Sequence, residues 1–218
     1  MIERGQLMKI DRPKIPLELT EKRFHDLYFE EDPIHENSLI TGADFSDESV
    51  EHMQLYHSII KNCTFIHTDF SKMDMLDVRF ENCDLSNVNL SKSSIHRVEF
   101  INCKLLGSNF SESSIGNVKF ENSILNMSSF GGSKLEKVIF QENSLQNADF
   151  YDCKLKKVEF NYCNLNEASF EDTSLKGIDI SSSSFEDLTI SIEALKECIV
   201  STSQAILFST LMGLVIKD

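Results

Sequence analysis

Proline is scarce in this chain and confined to one end. Pro13, Pro16 and Pro33 are the only three, all within residues 1–39. Long apolar runs are missing too. None approaches the ~18 residues of a membrane-spanning helix, so no such span is expected. The stretch Met1-Ile2-Glu3-Arg4 lacks the apolar core of a signal peptide, which predicts a cytoplasmic protein. Basic residues are outnumbered, with 21 Lys and Arg against 35 Asp and Glu and a net charge of −14. Phosphate contacts need Lys and Arg, so direct binding of nucleic acid is not expected. Six cysteines form no CxxC pair. There is no phosphate-binding loop, nucleophile elbow, zinc signature or dinucleotide fingerprint. The expectation is therefore no enzyme activity, no cofactor and no metal.

What the chain does have is a hydrophobic fraction of 41%, ample for a core, and an internal repeat. A large apolar residue stands at every position divisible by five. The frame runs from Ile40 and Phe45 through Phe65, Phe70, Met75, Phe80, Leu85 and Leu90 to Phe185 and Ile190, without insertion or deletion. Two residues before each usually stands a smaller one, such as Cys83, Val88, Ser93, Val98, Cys103 or Ser108, with Met53, Met73, Asn143, Ile178 and Leu188 as exceptions. A period of five fits neither a helix at 3.6 nor a strand at 2.

A second period of twenty is superimposed. "VRFENCDLSNVNLSKSSIHR", "VEFINCKLLGSNFSESSIGN" and "VKFENSILNMSSFGGSKLEK" share the pattern V-x-F at their start. A square coil produces both periods. Each side is one five-residue unit, each corner a turn, and four sides close one rung. Rungs stack through strand-like hydrogen bonds at about 4.8 Å, which places residue n above residue n−20. One inward ladder is then Phe80, Phe100, Phe120, Phe140 and Phe160. Residues 1–39 read as an irregular N-terminal cap or arm, 40–195 as the coil, and 196–218 as a C-terminal cap.

The tail carries the clearest local signals. Ser201 with Gln204 is a capping-box pattern. Gln204 to Met212 reads as a short helix, Gly213 as its left-handed stop, and Leu214-Val215-Ile216 as a short strand. Ile206, Leu207, Leu211, Met212, Leu214, Val215 and Ile216 form more apolar surface than a cap needs. The tail is either a simple cap or one that also dimerises through a self-complementary face.

The unit [S/T/A/V/C]-[D/N/x]-[L/F]-x-x resembles that of the pentapeptide-repeat proteins over roughly residues 40–190. The resemblance implies an all-β solenoid, the right-handed quadrilateral β-helix. The tail, with Leu211-Met212-Gly213-Leu214-Val215, is similar to that of the quinolone-resistance (Qnr-like) branch, in particular its loop-free, chromosomal members from Firmicutes. That likeness implies a tail-to-tail homodimer and a partner: type II topoisomerase, DNA gyrase or topoisomerase IV, bound by mimicry of duplex DNA and protected from quinolones. Plasmid-borne members carry loops that interrupt the coil. Here the frame is unbroken, so protection would have to come from the faces, the arm or the tail. An interaction scaffold with a different partner is the alternative.

Charge gives the mimicry a physical basis. Residues 41–190 hold 23 acidic and 13 basic residues, a net of −10. At about 4.8 Å per rung they make a rod about 36 Å long. Duplex DNA carries about 21 charges over that length, so the rod has roughly half its charge density. Two groups of acids stand out as a candidate partner-binding face: Asp69, Asp74, Asp77, Glu81 and Asp84, and Glu167, Glu171, Asp172, Asp179, Glu186 and Asp187. The second lies near the expected dimer junction. Mere solubility is the competing account of these charges.

Cys63, Cys83 and Cys103, and further on Cys163, fall in one stacked column, with Cys153 in the same kind of slot. A metal ladder or a disulfide is conceivable, but small inward fillers fit a reducing compartment better. His52, His57 and His67 fall at outward corners, where solvated side chains are expected. Asn62, Asn82, Asn102 and Asn122 stack at one corner, as a hydrogen-bonded ladder or, less simply, a binding site. A close-packed coil offers no obvious pocket.

Overall fold

The computed structural model describes residues 8–24 and 34–217. Its body is a parallel β-solenoid of about eight turns. Six eight-residue strands run up one half of it: β4 (Gln54–Lys61), β5 (Asp74–Glu81), β6 (Ser94–Ile101), β7 (Ser114–Glu121), β8 (Lys134–Gln141) and β9 (Lys154–Asn161). Each pairs in parallel with the next at a register of twenty residues, as in Phe80↔Phe100↔Phe120↔Phe140↔Phe160. On the other half, single bridges such as Thr64↔Asp84↔Lys104 and Asp69↔Asn89↔Asn109 keep the same register.

The four sides of one turn are residues 73–76, 78–81, 83–86 and 88–91, called the first to fourth sides below. The corners between them, at positions such as Asp77, Asn82, Asn87 and Lys92, are left-handed, with φ of 59°, 54°, 57° and 59°. A left-handed residue reverses the side-chain alternation that a strand would impose. This is why the inward pair recurs every five residues rather than every two. Asn tolerates that conformation best among non-glycine residues. Gly107, at φ 66°, takes the left-handed conformation without strain, and a Cβ there would also crowd the Asn87 side-chain amide.

The core is built of inward ladders on all four sides: Met75, Ile95, Ile115 and Leu135 on the first, the phenylalanines from Phe80 on the second, Leu85 to Leu165 on the third, and Leu90 with Phe110 to Phe170 on the fourth. Phe120 lies 5.0 Å from Phe100 and 5.0 Å from Phe140, with rings within 5° of parallel. Phe110 and Phe130 from the fourth-side ladder meet it edge-on at 5.9 and 6.2 Å. The small inward slot does more than fill space. Ser133 Oγ accepts from Ser113 N at 2.9 Å and donates to Phe110 O at 2.7 Å. Cys83 and Cys103 likewise point Sγ at the carbonyls of Ile60 and Phe80. The slot thus satisfies backbone groups at the turns, where regular strand pairing lapses. Asn143, which breaks the small-residue pattern, does the same work: Oδ1 accepts from Ser123 N and Nδ2 donates to Phe120 O, at 2.8 and 2.9 Å.

The ends differ from expectation. The coil begins before residue 40. β2 (Ile34–Glu36) pairs with β4, while β3 (Ser38–Thr41) pairs with β4 and with β1 (Thr20–Glu21). Phe24 plugs the first turn, buried against Phe45 and Phe65 at 5.3 and 4.9 Å. After β9 pairing is short: β10 (Ala168–Ser169) with β11 (Leu188–Thr189), and single bridges at Asn164↔Ser184 and Asp179↔Ile199. The helix α1 spans Thr202–Ser209, followed by a 3₁₀ turn at Thr210–Met212, and Gly213 is left-handed at φ 71°. The capping box forms as predicted from Ser201 and Gln204. The expected strand at Leu214-Val215-Ile216 is not formed. A strand needs a neighbouring backbone to bond to, and among the described residues Leu214-Val215-Ile216 have no β-bridge partner.

Candidate interaction surfaces

The coil sorts its outward residues by position modulo twenty, and this dissolves the first acidic group. Residues 69 to 84 wrap most of one turn, so the five acids point in different directions. Asp69 lies on the fourth side, accepting from Asn89 Nδ2 at 2.9 Å. Asp74 on the first side accepts from the Tyr56 hydroxyl at 2.8 Å. Glu81 on the second side pairs with Lys61 at 2.8 Å, and Asp84 on the third with Lys104 at 3.2 Å. Proximity in sequence is not proximity on one face of a coil.

Asp77 is not a surface residue at all; its side chain is 1% exposed. Arg97 Nε and Nη2 donate to its two oxygens at 2.6 and 2.8 Å. Burial opposes its charge, but the Arg97 guanidinium, the Lys14 N–H and nearby His57 outweigh burial. Together they hold the carboxyl below its ordinary value of 3.8. His57, expected in solvent, is half-buried beside it, with Nδ1 3.2 Å from Lys14 O and 3.4 Å from Asp77 Oδ2.

What covers Asp77 is the N-terminal arm, whose path sequence reasoning did not anticipate. Met8 N donates to Glu159 Oε1 at 3.0 Å, Asp11 N to Asn117 Oδ1 at 3.0 Å, and Lys14 N to Asp77 Oδ1 at 2.8 Å. Each step of three arm residues crosses two rungs. Extended chain at about 3.3 Å per residue covers about 10 Å in three residues, and two rungs measure about 9.6 Å. The match of spacings lets one straight segment bond to every second turn. Beside it, Met8–Arg12 and the outward residues of the second side, among them Glu99, Lys119 and Ile139, enclose a groove of about 610 Å³. A smaller groove of about 300 Å³ lies on the third side of the late turns, lined by Gln146, Asn164, Asn166, Ser184, Phe185 and Glu186.

The second acidic group keeps its promise of exposure. Glu167, Glu171, Asp172, Asp179, Glu186 and Asp187 are all exposed. Four of them, Glu167, Glu171, Asp172 and Asp187, fall on the fourth side and its two corners; Glu186 is on the adjoining third side and Asp179 on the second. Stacking adds Asp149 on the fourth side and Asp152 directly beneath Asp172. A search of the sequence at intervals of twenty would have found both.

At the tail, Ile206, Leu211, Met212, Leu214, Val215 and Ile216 are exposed, Val215 at 88%, and Leu207 is half-buried. A further groove of about 340 Å³ beside α1 is lined by Ile192, Leu195, Val200, Ala205, Phe208 and Met212, among others. Gln204 ties the helix to the last turn, its Nε2 donating to Ile180 O and Ser183 O at 2.9 Å each.

The six thiols are free. Burial pushes the Cys153 thiol up to about 12 and that of Cys163 to about 11, so neither is a nucleophile at neutral pH. Asn102 donates to Asn82 at 3.2 Å and Asn82 to Asn62 at 3.4 Å, which makes the corner asparagines a structural ladder. Among the described residues, no group of three or more His, Cys, Asp or Glu is placed to hold a metal ion.

A coil with a five-residue period and a twenty-residue register is the architecture of one protein class. Two family models match: "Pentapeptide repeats (8 copies)" over residues 58–97 and "Pentapeptide repeat region" over residues 93–170. Together they cover 113 of the 218 residues, from 58 to 170. The chain belongs to the pentapeptide-repeat proteins. No curated protein matches the sequence. Among solved structures, a trypsin-treated variant of QnrB1, a plasmid-mediated fluoroquinolone resistance protein, aligns with a TM-score of 0.55 and 22% identity, over 85% of this chain and 92% of that one. The two share a fold. A pentapeptide repeat protein from the Arabidopsis thaliana thylakoid lumen aligns at 0.40 with 21% identity, over 42% of this chain and 63% of that one. HetL, involved in heterocyst differentiation regulation in the cyanobacterium Nostoc sp. strain PCC 7120, aligns at 0.26 with 12% identity, over 81% and 91%.

Proposed function

We propose that this protein is a cytoplasmic, non-catalytic DNA mimic of the quinolone-resistance branch. It binds a type II topoisomerase, gyrase or topoisomerase IV, and protects it from quinolones. The observation that carries the reading is the fourth side of the last turns. The exposed carboxylates of that side and its corners lie on a straight rigid rod, and Glu167, Glu171, Asp172 and Asp187, with Glu186 on the adjoining third side, have no cationic side chain within ion-pair distance among the described residues. A row of unneutralised acids at fixed spacing steers toward a groove that is basic because it holds DNA.

The exposed tail supports a second element of the proposal, a homodimer in which Leu214-Val215-Ile216 finds the strand partner it lacks in one chain. That arrangement doubles the acidic side across a two-fold axis. The test is gyrase supercoiling in the presence of a quinolone, with this protein titrated at two salt concentrations. Restored supercoiling that fades with salt is expected. Inhibition without protection would make it a gyrase binder of another purpose, and no effect at micromolar protein would favour the scaffold alternative.

A further inference from the structure

We propose that the first side of the coil between Lys134 and Lys196 is a docking surface for a short acidic peptide segment of a partner protein. It is the opposite of the acidic side in charge, and adjoins it at the corner of Asp152 and Asp172.

The distribution of ion pairs points there. In the earlier turns every coil lysine has a carboxylate within reach: Lys61 with Glu81, Lys72 with Glu51, Lys92 with Glu112, Lys104 with Asp84 and Lys119 with Glu121, at 2.8 to 3.8 Å. From residue 134 the pattern changes. Lys156 is held by Glu136 at 2.6 Å and Lys176 by Glu197 at 3.2 Å, while Lys137 lies 3.9 Å from Asp11 of the arm. Lys134, Lys154, Lys157 and Lys196 have no ion pair among the described residues, and Lys134, Lys154, Lys157 and Lys196 are all exposed.

Lys134 and Lys154 are register partners on adjacent strands. Like charges directly opposite one another destabilise a sheet. One acid in either position would relieve the repulsion, as Glu136 does beneath Lys156. Blunting of a sheet edge accounts for only part of the pattern. Lysine suits an edge strand, and β9 ends the sheet. Lys134, however, is on the internal strand β8, and Lys196 lies outside the sheet.

The dimensions select the ligand. From Lys134 to Lys137 the side is about 10 Å wide, and three rungs give it about 14 Å of length. An extended peptide presents every second side chain to one face, about 7 Å apart, so about three carboxylates fit. A nucleic-acid duplex would overhang this width and bring phosphates against Asp152, Asp172 and Glu171.

Fluorescence anisotropy with a labelled peptide of alternating Glu and Ser tests the assignment. A DNA duplex and a single strand of equal charge provide the other arms. We expect micromolar, salt-sensitive binding of the peptide. It should weaken about tenfold or more in the Lys134→Gln/Lys154→Gln/Lys157→Gln variant. It should change less than about twofold in Lys72→Gln/Lys104→Gln, which removes paired charges elsewhere. Circular dichroism checks that both variants fold. Equal losses in the two variants, tighter binding of either DNA, or no peptide binding would each overturn the proposal.

Discussion

Replacing Phe120 by alanine removes a ring that is fully buried and touched on four sides. A Phe→Ala change in a core costs about 3–5 kcal/mol, more where the surroundings cannot collapse. Here they cannot. Phe100 and Phe140 are each anchored to their own rung by the strand ladder, so neither can close the gap without breaking backbone hydrogen bonds. The stacked and edge-on contacts add to the loss beyond area alone, about 0.5–1.5 kcal/mol per favourable pair. The upper end, about 5 kcal/mol, is therefore expected. With a urea slope of about 2–3 kcal/mol per molar, the unfolding midpoint should fall by about 2 M. Met127→Ala, at an exposed corner, should move it by less than about 0.3 M. A Phe120→Ala shift as small as that of Met127→Ala would refute the close-packed ladder.

The remaining predictions concern the arm and the tail. Arg97→Ala leaves Asp77 buried without its main partner and should cost about 3–5 kcal/mol, read from the same urea midpoint. Because the Asp77 carboxyl is held below 3.8, its contribution is fully present above about pH 4 and lost as pH falls through the depressed folded value. The midpoint should thus drop between pH 6 and pH 3 by more in the wild type than in Asp77→Asn, and equal drops would contradict the assignment. Gln204→Ala strands the carbonyls of Ile180 and Ser183 and breaks the capping box; about 2–3 kcal/mol is expected, with faster amide exchange confined to α1 and the last turn. If the protein forms the proposed dimer, light scattering should find Ile206→Asp with Leu211→Asp monomeric, and a variant that stays dimeric would remove the tail from the interface.

The coil was legible because its period is written in residues that do one thing. Phe and Leu every fifth position can only point inward, and the twenty-residue echo specifies the register. The capping box at Ser201 and the stop at Gly213 were legible for the same reason, being local. Surface arrangement was not local. Asp69 to Asp84 look like a cluster until the chain is wound, when they scatter over four sides, whereas Asp152 and Asp172 look unrelated until they stack. Asp77 carries no sign in its own neighbourhood that an arm more than sixty residues earlier will cover it. The strand expected at Leu214-Val215-Ile216 failed because β-structure is a property of two backbones.

The arm also sets a temporal order. Residues 8–14 leave the ribosome before any of their anchors, and the most distant, Glu159, follows Met8 by 151 residues. The rungs can stack as they emerge, each on the one before, since each contacts only its neighbours. The arm must wait until β5, β7 and β9 stand in line. A segment synthesised before its anchors is thus fastened last, and its docking reports that the five consecutive turns from β5 to β9 have been laid down in register.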